Sequence, residues 1–508
     1  MMDATAHVVV VPSTSSGHAI PFLQFARRLA AAGIVTTVVT SDRHVLELEK
    51  LVGSADRTAQ GEPLRLLGLR DKQAHLSHEE WTRQVREVPE VREAVIRLLQ
   101  EAVTDVASLQ SRQLRGVPPA APPACVVHDM FAPWAQGAAV KLHIGKHLFY
   151  VSSASLLSLA LQSNRLFREG RTPITRETRD VVFSDIPGLP PISALDFPHT
   201  YLMAPVYDWF RKYHLTFQNA DVILVNTFYD LEKPVLDALR NQVLGASDIQ
   251  AGSIFEIGPL LPDSYVNDDT MEQEAEERDP CILWLNKQAP QSVLYVSFGS
   301  WAILSAPQLL ELALGLEASG CSFLWVVRPP NATDNISAAS GSSSDSVVEY
   351  LPPGFEERVK GRGMCYSGWA PQMRILKHSA VSGFLSHCGW NSILETLSAG
   401  VPVLAWPMIA EQHLNRRFLV DVVKVAIDLE ANAYTKEELE GDEVRPVCFV
   451  SKQEIEKKVR ILMYDAEGHF VRQNTKNLRV KAREANAPGG PSRRNFETYV
   501  RHLRDNAH

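Results

Sequence analysis

The first forty residues follow the order strand, loop, helix, strand, and this order constrains the fold more than any other feature. A β-branched apolar run covers residues 7–11, and a helical apolar pattern covers residues 20–32 before Gly33. Residues 34–40 form a second β-branched run. Two strands joined through a helix make a βαβ unit with a right-handed crossover. The pattern predicts an α/β fold whose loop at 12–17 lies at the carboxyl edge of a parallel sheet, where ligands bind.

The alternation of strands and helices recurs along the chain and predicts two domains. Further strands are predicted at 124–128, 221–226, 292–298, 323–327, 380–385 and 401–405. We assign residues 1–261 to a first domain and 280–490 to a second, joined by an acidic, turn-rich linker at 262–279. The second domain carries a Ser-rich loop at 329–346. Residues 491–508 form a C-terminal helix that we expect to pack back on the first domain.

Composition excludes several classes of protein. The net charge of −8 argues against a nucleic-acid surface, which needs a basic stripe to neutralise phosphates. The six cysteines lie far apart without CxxC spacing, which is typical of reduced thiols in a cytosolic protein. No apolar run reaches the ~18 residues of a membrane span, and the N-terminus lacks the basic segment of a signal peptide. We therefore expect a cytoplasmic monomer without a membrane span.

The turn between the strand at 380–385 and the following helix is a candidate anion site. The backbone N–H groups and the positive dipole of a helix N-terminus attract phosphate at this edge of a sheet. Gly389 allows close approach of a ligand, and His387, Asn391 and Ser392 offer side-chain donors. Asn391 and Ser392 are equally typical of residues that cap the helix. The local sequence leaves capping and anion binding open, because both use the same groups.

Two common phosphate-binding motifs are missing from the sequence. Neither GxGxxG nor GxxxxGK[ST] occurs, which argues against a nicotinamide-dependent oxidoreductase and against an ATP-binding P-loop. No Asp, Glu and His residues show the spacing of metal ligands. We therefore expect phosphate to be held by a helix and side chains, with no cofactor and no obligatory metal.

The stretch from Trp369 to Gln412 resembles the plant secondary-product glycosyltransferase box. The matching residues are Trp369-Ala370-Pro371-Gln372, His378, Ser386-His387-Cys388-Gly389-Trp390-Asn391-Ser392, Glu395, Gly400-Val401-Pro402, Trp406-Pro407 and Glu411-Gln412. The resemblance extends over most of the chain. It includes the Gly17-His18 loop, the Asp motif His128-Asp129-Met130-Phe131, and the strand and turn Val296-Ser297-Phe298-Gly299-Ser300.

The resemblance implies two facing Rossmann-like domains in the B-type glycosyltransferase fold. It also implies inverting transfer from a UDP-sugar to a small lipophilic acceptor. The implied donor contacts are Trp369 and Ala370 for uracil, Gln372 and Glu395 for ribose, Ser300, His387, Asn391 and Ser392 for the diphosphate, and Trp390, Glu411 and Gln412 for the sugar. An aromatic face suits a planar base, and a carboxylate accepts from paired hydroxyls.

The resemblance further pairs the loop histidine, His18, with Asp129. An imidazole titrates near neutral pH and suits a general base, and a carboxylate stabilises the imidazolium that forms. Asp129 follows the strand at 124–128 and so reaches the same sheet edge as His18. Two alternatives remain: Asp129 as a helix N-cap, and His128 as the partner, although the His128 side chain should point to the opposite face of the strand.

The leading hypothesis is transfer of glucose from UDP-glucose to a hydroxyl of a small phenolic, flavonoid-like or other lipophilic acceptor. Relatives with Trp390 and Gln412 tend to use glucose, so another UDP-sugar remains an alternative. A second alternative is a nucleotide-sugar-binding protein without transfer activity. Many relatives carry Gln before Gly17, where this chain has Ser16. The acceptor contacts therefore stay open, with candidate segments at 80–93, 150–161 and 197–207.

Overall fold

The computed structural model describes residues 6–13, 15–41, 45, 64–69, 123–175, 177–241, 254–266, 278–330, 350–429 and 449–506. Three predicted features lie outside these residues: the acidic part of the linker at 267–277, nearly all of the Ser-rich loop, and the candidate acceptor segment at 80–93. The rest of the chain forms two compact units, which are described separately below.

The strands and helices have the following bounds. The strands are β1 (His7–Val11), β2 (Val35–Ser41), β3 (Leu64–Leu69), β4 (Cys125–Asp129), β5 (Gly145–Tyr150), β6 (Val182–Phe183), β7 (Ile192–Ser193), β8 (Val222–Val225), β9 (Ile254–Glu256), β10 (Val293–Ser297), β11 (Ser322–Val326), β12 (Gly363–Tyr366), β13 (Val381–Ser386), β14 (Val403–Ala405) and β15 (Ala426–Asp428). The helices are α1 (Ser16–Ala31), α2 (Ala135–Lys141), α3 (Ala154–Arg168), α4 (Ala204–Phe217), α5 (Tyr229–Asn241), α6 (Asp263–Val266), α7 (Pro280–Leu285), α8 (Ala306–Ser319), α9 (Phe355–Arg358), α10 (Gln372–Lys377), α11 (Trp390–Ala399), α12 (Gln412–Arg417), α13 (Lys452–Tyr464), α14 (Ala466–Asn486) and α15 (Pro491–Asp505).

The first unit contains residues 1–164, 209–261 and 485–508 and is organised around one parallel sheet. Its strand order is β3-β2-β1-β4-β5-β8-β9. β1 and β4 are neighbours, and Val11 lies opposite His128 in their register. Because both strands run the same way, the residues after Val11 and His128 leave the sheet at the same edge. This is the edge at which the sequence predicts a ligand site.

Helix α1 begins earlier than the apolar pattern predicts. The N–H groups of His18 and Ala19 both donate to the Ser15 carbonyl, at 2.9 and 2.8 Å, so the first turn closes at Ser15. His18 therefore lies in the first turn of a helix and not in the preceding loop. The polar residues of this turn have no apolar periodicity, which is why the pattern does not show the start of the helix.

The last helix completes the core of the first unit. Phe496, Tyr499, Val500 and Leu503 of α15 are buried in the same cluster as the apolar residues of β1, α1 and β4. Arg504 also donates to the Ala32 carbonyl at the end of α1, at 2.7 Å. The two ends of the chain thus share one hydrophobic core.

The second unit contains residues 165–208 and 262–484 and is built on a second parallel sheet. Its strand order is β12-β11-β10-β13-β14-β15. The central neighbours β10 and β13 end together, with Ser297 opposite Ser386. A large apolar cluster that includes Trp325 and Trp406 packs between this sheet and its helices.

One segment groups differently from the predicted domain boundaries. Residues 165–208, which the sequence analysis assigns to the first domain, make their contacts with the second unit. The segment includes the antiparallel pair β6–β7 and two short 3-10 turns, Ala194–Asp196 and His199–Tyr201. Its contacts with the second unit join residues more than two hundred positions apart, which no local pattern shows.

Within the described residues, no helix combines the length and apolar character needed to cross a membrane.

Candidate active site

His18 and Asp129 meet at the carboxyl edge of the first sheet. His18 Nδ1 lies 2.7 Å from Asp129 Oδ2. The side chain of His18 is 18% exposed, whereas that of Asp129 is fully buried. An ionised carboxylate only accepts hydrogen bonds, so Nδ1 carries the proton. In the neutral imidazole the lone pair is then on Nε2, the nitrogen that does not face Asp129.

Asp129 is itself held in place by the backbone that follows β4. Its Oδ1 accepts from the Phe131 N–H at 2.8 Å, while Oδ2 takes the His18 bond. The Phe131 ring lies beside the imidazole, with centroids 4.9 Å apart. The carboxylate is thus bonded on both oxygens, and the ring orientation of His18 is restricted from two sides. The N-cap alternative for Asp129 gains no support, because α2 begins only at Ala135.

His128 does not compete for this carboxylate. Its Nδ1 donates to the backbone carbonyl of Asp129 at 2.9 Å, and its Nε2 lies 3.0 Å from Gln136 Nε2, from which it accepts. Burial lowers the pKa of His128 to about 4. His128 is therefore a neutral residue of the interior, as its position on the opposite face of the strand predicts.

In the second unit, the turn after β13 leads directly into α11. Gly389 is the N-cap of α11 and, having no side chain, makes no side-chain cap hydrogen bond. Asn391 and Ser392 lie inside the first turn, so neither is the N-cap residue. The turn is tight, because Cys388 has a left-handed φ of 64°, and the Asn415 amide donates to the Cys388 carbonyl at 3.0 Å. The N-cap position of α11 is thus occupied by a residue that has no side-chain acceptor.

The ring of His387 sits between two glycines. A Cβ on Gly389 would lie 2.5 Å from His387 Nε2, and a Cβ on Gly299 would lie 2.7 Å from the same atom. Both distances are too short for any real contact, so each glycine is needed for the ring to occupy this place. Gly299 also has a left-handed φ of 72°, which favours glycine independently.

His387 is a neutral and incompletely bonded side chain. Burial lowers its pKa to about 4. Its buried Nδ1 has no hydrogen-bond partner among the described residues. A buried polar atom without a partner is costly unless a ligand or water completes it.

Gln372, Ser392 and Glu395 form one hydrogen-bonded group. Gln372 Nε2 donates to Glu395 Oε2 at 2.7 Å and approaches Ser392 Oγ at 3.0 Å. Its Oε1 accepts from the Tyr295 hydroxyl at 3.3 Å. Burial raises the pKa of Glu395 to about 7, and the bond from Gln372 opposes that rise. Sequence reasoning missed Tyr295, because its position inside β10 is indistinguishable from that of an ordinary buried aromatic.

Trp369 stands out as an exposed aromatic side chain. It is 56% exposed and follows β12, after Gly368. The carbonyl of the next residue, Ala370, accepts from the Gln372 N–H at 2.8 Å, which starts the turn into α10. The exposed indole of Trp369 presents a flat apolar face on which a planar group can stack.

The loop before α12 is closed by Gln412. Its Oε1 accepts from the N–H groups of Met408 and Ile409, at 2.9 and 2.8 Å. No hydrogen bond within the described residues uses its Nε2. Glu411 is partly exposed beside it. The carboxamide is therefore oriented by its oxygen, and the nitrogen remains as a donor.

The remaining predicted donor residues lie on the same carboxyl edge or at the start of α11. Trp390 is 3% exposed, while Asn391 is partly buried in the same turn. Ser300 lies three residues after the end of β10, and its carbonyl accepts from Arg328 at the end of β11. The second unit therefore brings the predicted donor residues to the carboxyl ends of β10, β12, β13 and β14. Across the described residues, no three His, Cys, Asp or Glu side chains are grouped as metal ligands.

Comparison with known proteins gives consistent matches. Residues 253–445 match the family model described as UDP-glucoronosyl and UDP-glucosyl transferase. The chain is 32% identical to UDP-glycosyltransferase 72B1 of Arabidopsis thaliana, over 94% of this chain and 92% of that one. It is 36% identical to phloretin 2'-O-glucosyltransferase of Pyrus communis, over 73% and 75%.

A solved structure gives the same result. The chain superposes on TcCGT1 in complex with UDP with a TM-score of 0.80 and 30% identity, covering 99% of this chain and 100% of that one. The predicted class of two Rossmann-like domains with parallel sheets is thereby confirmed.

The contact between Gly389 and His387 predicts a strong coupling between the two positions. We expect Gly389→Ala to lower the free energy of unfolding by about 1–3 kcal/mol, because the methyl group displaces the ring. In a His387→Ala background the same change should cost less, because the ring is gone and only the poorer N-cap preference of alanine remains. Urea denaturation of the four proteins of the cycle measures the coupling. Equal costs in both backgrounds would show that the ring does not fill this space.

Proposed function

Because the chain belongs to the family of UDP-glucoronosyl and UDP-glucosyl transferases, we propose that it transfers glucose from UDP-glucose to a hydroxyl of a small lipophilic acceptor. The observation that carries the proposal is the 2.7 Å bond between His18 Nδ1 and Asp129 Oδ2. A phenolic acceptor is supported by the phloretin glucosyltransferases among the relatives. The five cysteines in the described part of the chain are free thiols, which supports a cytoplasmic location.

The reaction needs one proton transfer and one displacement. His18 Nε2 takes the proton of the acceptor hydroxyl as that oxygen attacks the anomeric carbon. A new carbon–oxygen bond forms, the bond to the β-phosphate oxygen breaks with inversion, and UDP leaves with the electron pair. The buried Asp129 carboxylate stabilises the imidazolium and keeps the lone pair on Nε2.

The nucleotide is assigned to residues of the second unit. The exposed face of Trp369 would stack on uracil, with the Ala370 backbone at the edge of the base. Gln372 and Glu395, already bonded to each other, would share the ribose hydroxyls. We assign the role of carboxylate acceptor to Glu395, because two vicinal hydroxyls are donors that a single carboxylate can accept together.

The diphosphate and the sugar are assigned to the two ends of the same surface. The N-terminus of α11, which begins at Gly389, would hold the diphosphate together with Ser300, His387, Asn391 and Ser392. These donors neutralise the charge that develops on the leaving phosphate, so we propose no obligatory metal. Trp390, Glu411 and Gln412 would contact the sugar, with Gln412 Nε2 as a donor whose direction the loop fixes.

A screen of acceptors against several UDP-sugars tests the proposal as a whole. We expect a glucoside product and stoichiometric UDP when a mixed panel of phenols is incubated with UDP-glucose and analysed by mass spectrometry. UDP-galactose and UDP-xylose serve as comparison donors under the same conditions. Binding of UDP-glucose without release of UDP would identify a binding protein instead of a transferase. A higher rate with another UDP-sugar would show that glucose is not the preferred sugar of the donor.

If His18 is the base, its removal should stop sugar transfer without weakening the binding of UDP. His18→Ala should abolish transfer, because the acceptor hydroxyl loses its base. The affinity for UDP, measured by calorimetry, should stay within about twofold, because no nucleotide contact changes. His143→Ala, in the turn after α2, is the matched control and should transfer normally. Equal loss of transfer and of UDP binding would indicate a folding defect.

The role of Asp129 predicts a large effect from a nearly isosteric change. Asp129→Asn keeps the size of the side chain but removes the charge that stabilises the imidazolium. We expect kcat to fall on the order of a thousand-fold or more, with KM for UDP-glucose little changed. Initial rates at saturating donor measure this. A rate near that of the wild type would remove Asp129 from the mechanism.

The raised pKa of Glu395 predicts that donor binding depends on pH. With a pKa of about 7, Glu395 is largely protonated below and largely ionised above neutral pH. If the ribose hydroxyls bind the carboxylate form, affinity for UDP-glucose should rise as pH increases, by up to about tenfold from about pH 6 to about pH 8. Glu395→Gln should flatten the profile. UDP-glucose is the suitable ligand, since its phosphates do not titrate in this range, and a parallel profile in both proteins would contradict the role.

A further inference from the structure

The loop that carries Glu411 and Gln412 is held by a distant part of the chain. Residues 165–208 belong by their contacts to the second unit, although some two hundred positions separate them from this loop. Within this segment, His199 begins a short 3-10 turn and Asp196 ends another. Both residues reach the region around α12.

His199 bonds both backbone polar groups of Ala410. The Ala410 N–H donates to His199 Nδ1 at 2.8 Å, and the His199 N–H donates to the Ala410 carbonyl at 3.2 Å. Ala410 has a left-handed φ of 56°, which is unfavourable for a residue with a Cβ. The two bonds therefore hold a backbone conformation that Ala410 would not favour alone, directly before Glu411.

Asp196 fixes the same segment to α12. Its side chain is 6% exposed, and its two carboxylate oxygens accept from Arg416 at 2.7 Å and from Arg417 at 3.3 Å. Arg417 also donates to the Pro191 carbonyl at 2.8 Å. A buried carboxylate bonded by two guanidinium groups has a fixed geometry, because each oxygen has its own partner and loss of either bond leaves a buried acceptor unsatisfied.

The loop is thus restrained from two directions. Gln412 bonds the N–H groups of Met408 and Ile409 from inside the loop, and His199 bonds Ala410 from outside. For this, His199 Nδ1 must accept, which requires the neutral imidazole. Burial lowers the pKa of His199 and favours that form.

We propose that His199 is a positioning residue that sets donor-sugar recognition through Ala410. It touches neither the nucleotide nor the sugar; it fixes the backbone from which Glu411 and Gln412 project. The inference rests on the proposed function, because Glu411 and Gln412 are the assigned sugar contacts. It identifies the segment at 191–201 as part of the machinery that selects the sugar of the donor.

Two substitutions separate the hydrogen bond from the ring. His199→Phe keeps the ring and removes the acceptor for the Ala410 N–H. His199→Asn removes the ring, but its carboxamide oxygen is attached to Cγ, as Nδ1 is in histidine. This oxygen can therefore accept the same hydrogen bond from the Ala410 N–H. We expect His199→Phe to lower kcat/KM for UDP-glucose at least about tenfold, the effect of leaving a buried N–H unpaired, and His199→Asn to retain most of the activity.

The decisive readout is the difference between UDP and UDP-glucose. UDP lacks the sugar, so its dissociation constant should change less than about twofold in His199→Phe, whereas the preference for UDP-glucose over UDP-galactose should fall several-fold. His147→Phe is the matched control: it removes the Nδ1 bond of another buried histidine, to Tyr499, in the first unit. It should lower stability without changing donor preference.

The outcomes distinguish the positioning role of His199 from the proposed transferase activity. Loss of donor preference in His199→Phe, with recovery in His199→Asn, supports positioning. Equal weakening of UDP and UDP-glucose, or the same donor profile in His199→Phe as in the wild type, would overturn the role of His199 while the transferase activity stands. A wild-type protein that neither binds nor transfers from any UDP-sugar would overturn the proposed function, and the positioning role with it.

Discussion

Parallel pairing of the central strands is the constraint on which both candidate sites depend. In the first unit, β1 and β4 end together, so the turn of α1 with His18 and the end of β4 with Asp129 emerge side by side. In the second unit, the common end of β10 and β13 brings Gly299 against His387. In each unit, two neighbouring strands therefore supply residues that are far apart in sequence but in contact in space, at the sheet edge where α/β folds bind ligands.

The sequence predicts the parts of this structure that follow from local pattern. The β-branched runs identify most central strands within one or two residues, because buried parallel strands are continuously apolar. Other elements carry no such signal. The buried face of α14 is formed mainly by small or isolated apolar residues such as Val471, Ala482 and Ala485, and β5 merges with the apolar start of α3 into one run. The grouping of residues 165–208 with the second unit depends on contacts such as Asp196 with Arg416, which no period or spacing encodes.

In the candidate site, the identities of the residues follow from the sequence, whereas their environments follow from contacts between distant parts of the chain. The residue types at the donor surface can be read from the sequence, and so can the pairing of His18 with Asp129. Their environments cannot, because burial depends on the whole fold. The neutral state of His387, the raised pKa of Glu395 and the restraint on Ala410 all arise from neighbours distant in sequence. The position of the His387 ring depends on the missing side chains of Gly299 and Gly389 as much as on the residues around it.

The position of α15 bears on how the molecule is made. Phe496, Tyr499 and Val500 complete a core to which β1, α1, β2 and the strands β4, β5 and β8 also contribute. During synthesis from the N-terminus, that core stays incomplete until residues 491–505 have left the ribosome. The second sheet, whose strands end at Asp428, is translated in full before α15 emerges. The first unit is therefore completed only after the strands of the second sheet have been translated, and until then part of its apolar core stays uncovered.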